Sequence, residues 1–194
     1  MNTREDLRNF FLNFRETINK EDLIVKSKKI KKNFFRLKEL NNCKNIMTYV
    51  SIDNEVLTMG IIKRLLTKDK HIFIPYIMPE KNKMEIKQII NPDRDIIPGA
   101  NKIPEPVESL LKADFPPDII DFVIVPGIVF SKSGYRIGYG HGYYEKFFSL
   151  IKKDIIKVAL VFESLLVDNI PIEKNDIPVD IIISEERIIR NGSL

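Results

Sequence analysis

The chain has 194 residues, 44% of them apolar and 30% charged, with a net charge of +4. That length is ample for one α/β core, and no apolar run approaches the ~18 residues of a membrane span. The N-terminus lacks a continuous apolar signal core, and a single cysteine, Cys43, excludes an internal disulfide and a thiolate metal site. These features predict a cytoplasmic protein, and the charge is too small to argue for nucleic acid.

Two helices are expected first. Thr3 and Asp6 form a capping-box-like start. Leu7, Phe10, Phe11, Phe14 and Ile18 recur at helical spacing as one apolar face. Arg4, Arg8 and Arg15 fall within about 40° of each other on a stripe bordering that face, a position from which they can reach a neighbouring cleft. A second helix over residues 21–40 buries Leu23, Ile30, Phe34 and Leu37 and turns its lysines outward. No aromatic residues interleave with those lysines, as a nucleic-acid platform would require.

From residue 45 the pattern alternates. Strands are expected at 45–52, 71–77, 84–90, 121–125, 156–162 and 179–184, with an edge piece at 187–190. Helices are expected at 55–66 and 142–152, and residues 91–118 read as a proline-rich connection with a short helix. Such alternation indicates a mainly parallel sheet covered on both faces, a three-layer α/β/α domain over residues 1–194. In that architecture ligands gather beyond the carboxyl ends of the strands.

Four of the eight glycines lie within nine residues, Gly134 to Gly142, in the stretch GYRIGYGHGYYEKFF. Glycine adopts positive φ freely and exposes backbone N–H groups, and a helix starting near Gly142 adds its own. With Arg136 and His141 alongside, the stretch reads as a phosphate cradle; a tight structural turn is the alternative. The G-x-G-x-G core lacks the Lys-Ser/Thr ending of a P-loop and the spacing of a dinucleotide fingerprint. Glycine spacing alone leaves the nucleotide class open.

The longer stretch PGIVFSKSGYRIGYGHGYYEKFF resembles the signature of the 5-formyltetrahydrofolate cyclo-ligase (5,10-methenyltetrahydrofolate synthetase) family. REDLR, SIDNEVLT, IPYIMPEKNKMEIKQI, KIPEP and IPVDIIISE resemble further elements of that family, in its order and over nearly the whole chain. The resemblance implies an architecture shared with sugar-phosphate isomerases and CoA transferases. It also implies a monomer that converts 5-formyltetrahydrofolate to 5,10-methenyltetrahydrofolate with ATP and Mg²⁺, through a phosphorylated formyl group. It places ATP on Arg4, Arg8 and the run Arg136, Ile137, Gly138, Tyr139, Gly140, His141, Gly142, Tyr143 and Tyr144, with Arg136 and Tyr144 catalytic. It places the folate at Val50 and Glu55, and Mg²⁺ at Glu145 and Asp180. Glu145 stands where the family usually has Asp, Arg4 where it often has lysine, His141 where lysine or a small residue is frequent, and Tyr76 where arginine is common. Two other readings are a non-catalytic nucleotide- or RNA-binding member of the fold and a sugar-phosphate isomerase or acyl-CoA transferase. For the isomerase, the sequence offers no clear proton-shuttling base.

Overall fold

The computed structural model describes residues 3–99 and 103–192; residues 100–102 of the proline-rich connection, including Lys102 of KIPEP, lie outside the described residues. The first helix, α1 (Arg4–Glu16), begins with the expected capping box: the Thr3 hydroxyl accepts from the Asp6 N–H at 3.1 Å. Its buried side is rotated from the apolar face read in the sequence. Phe11 and Arg15 are buried, while Phe10 and Phe14 are exposed, because the arginines find partners inside the fold. Helix α2 (Lys20–Phe34) is capped by Asn19 and ends six residues before position 40. There Arg36 and Leu37 donate to Asn33 and Phe34, tightening the chain out of α-helical register. Leu37 and Leu40 are nevertheless buried.

The strands β1 (Asn45–Thr48), β2 (His71–Met78) and β3 (Lys83–Ile89) come next, with α3 (Met59–Leu66) between the first two. His71 merely starts β2, its ring 2.9 Å from the Asn45 amide oxygen. The connection at 91–118 carries more order than expected. It holds two single-turn helices, α4 (Pro92–Asp95) and α5 (Glu108–Leu111), and the ribbon β4 (Ile96–Pro98) and β5 (Pro104–Pro106). The remainder is β6 (Phe122–Val125), β7 (Val129–Ser131), β8 (Arg136–Ile137), α6 (Tyr143–Ser149), β9 (Ile156–Leu160), β10 (Leu166–Val167), β11 (Ile181–Ile183) and β12 (Ile188–Arg190).

The main sheet runs β12-β11-β9-β6-β1-β2-β3. Its five central strands are parallel, and β3 and β12 are antiparallel edges. All four residues of β6 are buried, as expected of a central parallel strand covered on both faces. The chain winds from β1 to β2 in one direction and from β6 through β9 to β11 in the other. Helix α3 packs against β2, and α6 reaches the β3 edge, where Lys146 donates to the Asn82 amide oxygen. Beside this sheet, β10-β7-β8 forms a small second one that carries the glycine loop.

Candidate active site at the reversal point of the sheet

The parallel strands lie in the order β2-β1-β6-β9-β11, so the winding reverses between β1 and β6. Beyond the carboxyl ends at such a reversal, the loops part and leave a crevice. The loops leaving β1 and β6 are the ones that hold Glu55 and lead to the glycine loop.

After β1 the chain forms a turn, not the start of a helix. Asp53 adopts φ +46°, the Glu55 N–H donates to the Ile52 carbonyl at 3.0 Å, and Ser51 and Thr58 exchange hydrogen bonds across the loop. Glu55 therefore sits four residues before α3. Its carboxylate is only 7% exposed and accepts from the Ile52 N–H at 3.1 Å through Oε2. Burial pushes this carboxyl above the usual range, against the opposing pull of the Ile52 amide, Arg15 and Tyr139. The crevice around it is lined by Tyr49, Val56, Gly127, Val161 and Phe162. Val50 is half-buried in the same loop and packs against the core.

The glycine loop has an unusual supply of donors. Among the described residues, no backbone N–H from Gly138 to Glu145 donates within the chain; the first to do so is that of Lys146. Gly140 and Gly142 adopt φ +95° and +66°, where a side chain would be strained. Gly134, at φ +93°, is structural instead: a Cβ there would lie 2.5 Å from the Val179 carbonyl oxygen. Helix α6 spans seven residues and stops at Ser149, short of the expected 152.

Three arginines of α1 meet this loop. Arg8 donates from Nε to the Gly138 carbonyl at 2.9 Å, and its two terminal nitrogens have no partner among the described residues. Arg4 is fully engaged: its fork donates to Asp176, to the Pro171 carbonyl and to the Arg136 carbonyl, with Nε 3.4 Å from Glu173. It anchors the base of the loop. Arg15, which the sequence showed only as part of a stripe, donates to the Tyr139 hydroxyl at 2.7 Å. Its spacing from Arg4 and Arg8 was the signal, but only the fold identifies its partner.

Arg136 is 6% exposed, donates to the Ile177 carbonyl at 3.1 Å and pairs with Glu145 at 2.5 Å. Desolvation lowers its guanidinium pKa. The Tyr144 ring lies 5.8 Å from that guanidinium, and its hydroxyl is buried without a hydrogen-bond partner. Burial and the nearby Glu55 and Glu145 charges raise this phenol far above its ordinary range, against Arg136, so it stays protonated. His141 is exposed, its ring 5.7 Å from that of Tyr143.

The two carboxylates that the resemblance assigns to a metal stand on different elements. Glu145 is on α6 at the loop. Asp180 precedes β11, at the amino end of a parallel strand, where its carboxylate accepts from the Lys157 N–H at 2.7 Å and pairs with the Lys157 ammonium at 2.9 Å. Strand direction, invisible in the pattern, puts it at the end of the sheet away from the crevice. Among the described residues no cluster of three or more His, Cys, Asp or Glu side chains is arranged to hold a metal.

Residues 1–185 match the model of the 5-formyltetrahydrofolate cyclo-ligase family. The chain is 27% identical to a probable 5-formyltetrahydrofolate cyclo-ligase of Caenorhabditis elegans, over 96% of this chain and 94% of that one. It is 30% identical to the Saccharomyces cerevisiae 5-formyltetrahydrofolate cyclo-ligase, over 73% and 76%. A solved 5,10-methenyltetrahydrofolate synthetase from Aquifex aeolicus superposes with a TM-score of 0.83 at 29% identity, covering 98% of this chain and 95% of that one. One from Mycoplasma pneumoniae has the same fold, with a TM-score of 0.75 at 20% identity over 94% and 98%. With a glycine loop and a buried acid meeting at the sheet's reversal point, and a family model matched almost end to end, this chain belongs to the 5-formyltetrahydrofolate cyclo-ligase family.

Proposed function

We propose that the chain converts 5-formyltetrahydrofolate to 5,10-methenyltetrahydrofolate, consuming ATP and releasing ADP and phosphate. The observation that carries this reading is the run of uncommitted backbone N–H groups from Gly138 to Glu145, beside the buried Glu55. The run suits a polyanion, and the acid suits the donor edge of a pterin.

A formyl oxygen is a poor leaving group. Attack by that oxygen on the γ-phosphorus, with departure of ADP, converts it into a phosphate ester. The second folate nitrogen then attacks the formyl carbon, and phosphate leaves with the oxygen to give the methenyl bridge. Catalysis of this kind is mainly alignment and charge neutralisation. The loop amides and the free terminal nitrogens of Arg8 supply donors to the phosphates, and a guanidinium can donate two hydrogen bonds at once. Arg136 sits behind the loop, its charge balanced by Glu145. The Tyr144 hydroxyl, a buried donor without a partner, is available to the oxygen in transfer. Val50 and Glu55 hold the pterin.

Glu145 is a hard oxygen donor at the phosphate loop and fits Mg²⁺, which needs only one or two carboxylates beside phosphate oxygens and water. When bound, the ion neutralises phosphate charge during transfer. Asp180 is the second carboxylate of this assignment; like Glu145, which pairs with Arg136, it is held by a cation, Lys157. The reading extends to a single domain over residues 1–194, acting as a monomer in the cytoplasm on two small molecules, with no nucleic-acid or membrane partner. No described helix is long and apolar enough to cross a membrane.

The decisive experiment mixes the protein with 5-formyltetrahydrofolate, ATP and Mg²⁺ and follows methenyl absorbance. Growth of that band only when all three are present is expected. Folded protein that leaves the spectrum unchanged refutes the assignment.

A further inference from the structure

Arg15 and Tyr139 connect the two halves of the site in a way the proposed reaction does not use. The Tyr139 hydroxyl accepts from Arg15 Nη2 at 2.7 Å and donates to Glu55 Oε1 at 3.2 Å, while Arg15 Nη1 lies 3.7 Å from that same oxygen. Arg15 is 5% exposed, whereas Tyr139 is 43% exposed. Arg15 also lines both the Glu55 crevice and an adjoining hollow bounded by Leu12, Asp53 and Tyr139. It stands on the wall between them.

Glu55 has two oxygens to offer. Oε2 already accepts from the Ile52 N–H, and Oε1 carries the tyrosine hydroxyl. A ligand edge that donates a pair of hydrogen bonds to this carboxylate meets the Tyr139 hydroxyl at Oε1 and competes with it there. Its backbone lies between Gly138, whose carbonyl Arg8 holds, and Gly140, at φ +95°. A shift of that backbone moves the hydroxyl together with the amides offered to a nucleotide.

The geometry points to a latch. Tyr139, held by Arg15, closes Glu55 to the folate until nucleotide binding draws the loop away, so the two substrates tighten each other's binding. Arg15 is then a positioning residue: it holds the hydroxyl when the latch is shut and remains as the counter-charge of Glu55 when it opens. The inference rests on the folate reading of Glu55. By linkage, whatever factor the nucleotide applies to the folate, the folate applies to the nucleotide.

The test is calorimetric binding of 5-formyltetrahydrofolate to the intact protein, with and without a nonhydrolysable ATP analogue and Mg²⁺. The analogue should tighten folate binding to wild type by about tenfold, the scale of one hydrogen bond to a charged group. Tyr139→Phe should bind folate about tenfold more tightly than wild type without the analogue, and the analogue should then add almost nothing. Arg15→Lys, which keeps the charge but loses the fork, should also shrink the ratio. A Tyr139→Phe protein that keeps the wild-type ratio, or binds folate more weakly in both states, overturns the latch. Glu55→Gln separates the two claims. If it leaves folate affinity unchanged, the pocket assignment falls and the latch with it; if it weakens folate while Tyr139→Phe keeps the wild-type ratio, only the latch falls.

Discussion

Replacing Gly140 with alanine asks whether the loop's shape or merely its flexibility matters. The residue sits at φ +95°, where L side chains are strained, and holding a non-glycine residue in such a region costs about 1–3 kcal/mol. Steric contact adds little, because the new Cβ would lie 3.4 Å from the nearest Arg8 nitrogen, at the edge of ordinary contact. The cost falls on the backbone, and an exposed loop avoids it by relaxing φ. Relaxation turns the adjoining amides away from a common centre, so the strain reappears as lost affinity. The expected loss in ATP affinity is about 5- to 150-fold, the same energy expressed as a binding ratio, with the melting temperature nearly unchanged. Isothermal titration with a nonhydrolysable analogue measures the first quantity and a thermal melt the second. Gly138→Ala is the comparison, since its φ is not in the positive range and a Cβ there meets nothing within 4 Å. Unaltered affinity in Gly140→Ala refutes the cradle; a large fall in melting temperature instead makes the glycine a folding requirement.

Glu55→Gln keeps the shape but loses the charge, so the folate Michaelis constant should rise about tenfold or more, by more than that for ATP; steady-state kinetics with each substrate varied in turn checks both. Because burial raises the Glu55 carboxyl, its ionised form is lost at a higher pH than for an ordinary glutamate. Folate affinity should therefore weaken as pH falls toward that raised value, starting above the usual glutamate range; a dissociation constant that is flat down to about pH 4.3 contradicts this. Glu145→Ala removes the carboxylate paired with Arg136, leaving a buried charge short of a partner at a cost of about 1–3 kcal/mol. The protein should melt lower and need more Mg²⁺ for nucleotide binding, and an identical Mg²⁺ titration removes Glu145 from the metal shell. Tyr144→Phe deletes a hydroxyl that has no partner among the described residues, so stability should hold or improve. Turnover should fall about 10- to 100-fold if that hydroxyl serves the transferring oxygen; unchanged turnover shows that it does not.

How much of this was legible in the chain depended on the range of the interactions involved. The apolar runs expected at 45–52, 71–77, 121–125 and 156–162 hold the strands β1, β2, β6 and β9, though β1 stops at Thr48 and β9 at Leu160, because burial on both faces demands continuous hydrophobicity. The glycine loop was legible because backbone freedom is written in residue identity. Glu55 was misplaced onto a helix because Val56, Leu57, Ile61 and Ile62 mimic helical spacing. The turn that displaces it depends on Asp53 in a left-handed conformation and on Ser51 bonding to Thr58. Asp180 could be located only once β11 was known to run parallel to β9. The apolar face of α1 was misread in part, since Phe10 and Phe14 are exposed. The arginine stripe beside it does reach inward, and the partners of Arg4, Arg8 and Arg15 there lie more than a hundred positions away.

Those arginines also explain how the loop keeps its amides free. In a planar trans peptide the carbonyl and the following N–H point in opposite directions, so fixing one aims the other. Arg8 takes the Gly138 carbonyl toward α1, which turns the Tyr139 N–H to the opposite side. Arg4 takes the Arg136 carbonyl in the same way, at 3.4 Å, two residues earlier in β8. A flexible glycine segment left to itself would spend its N–H groups on nearby carbonyls or scatter their directions. Here two charged donors occupy the carbonyl side, and positive φ at Gly140 and Gly142 carries the chain around the other. The polarity of the cradle is thus set from outside, by a helix at the far end of the sequence. Neither REDLR nor RIGYGHGYY accounts for it alone.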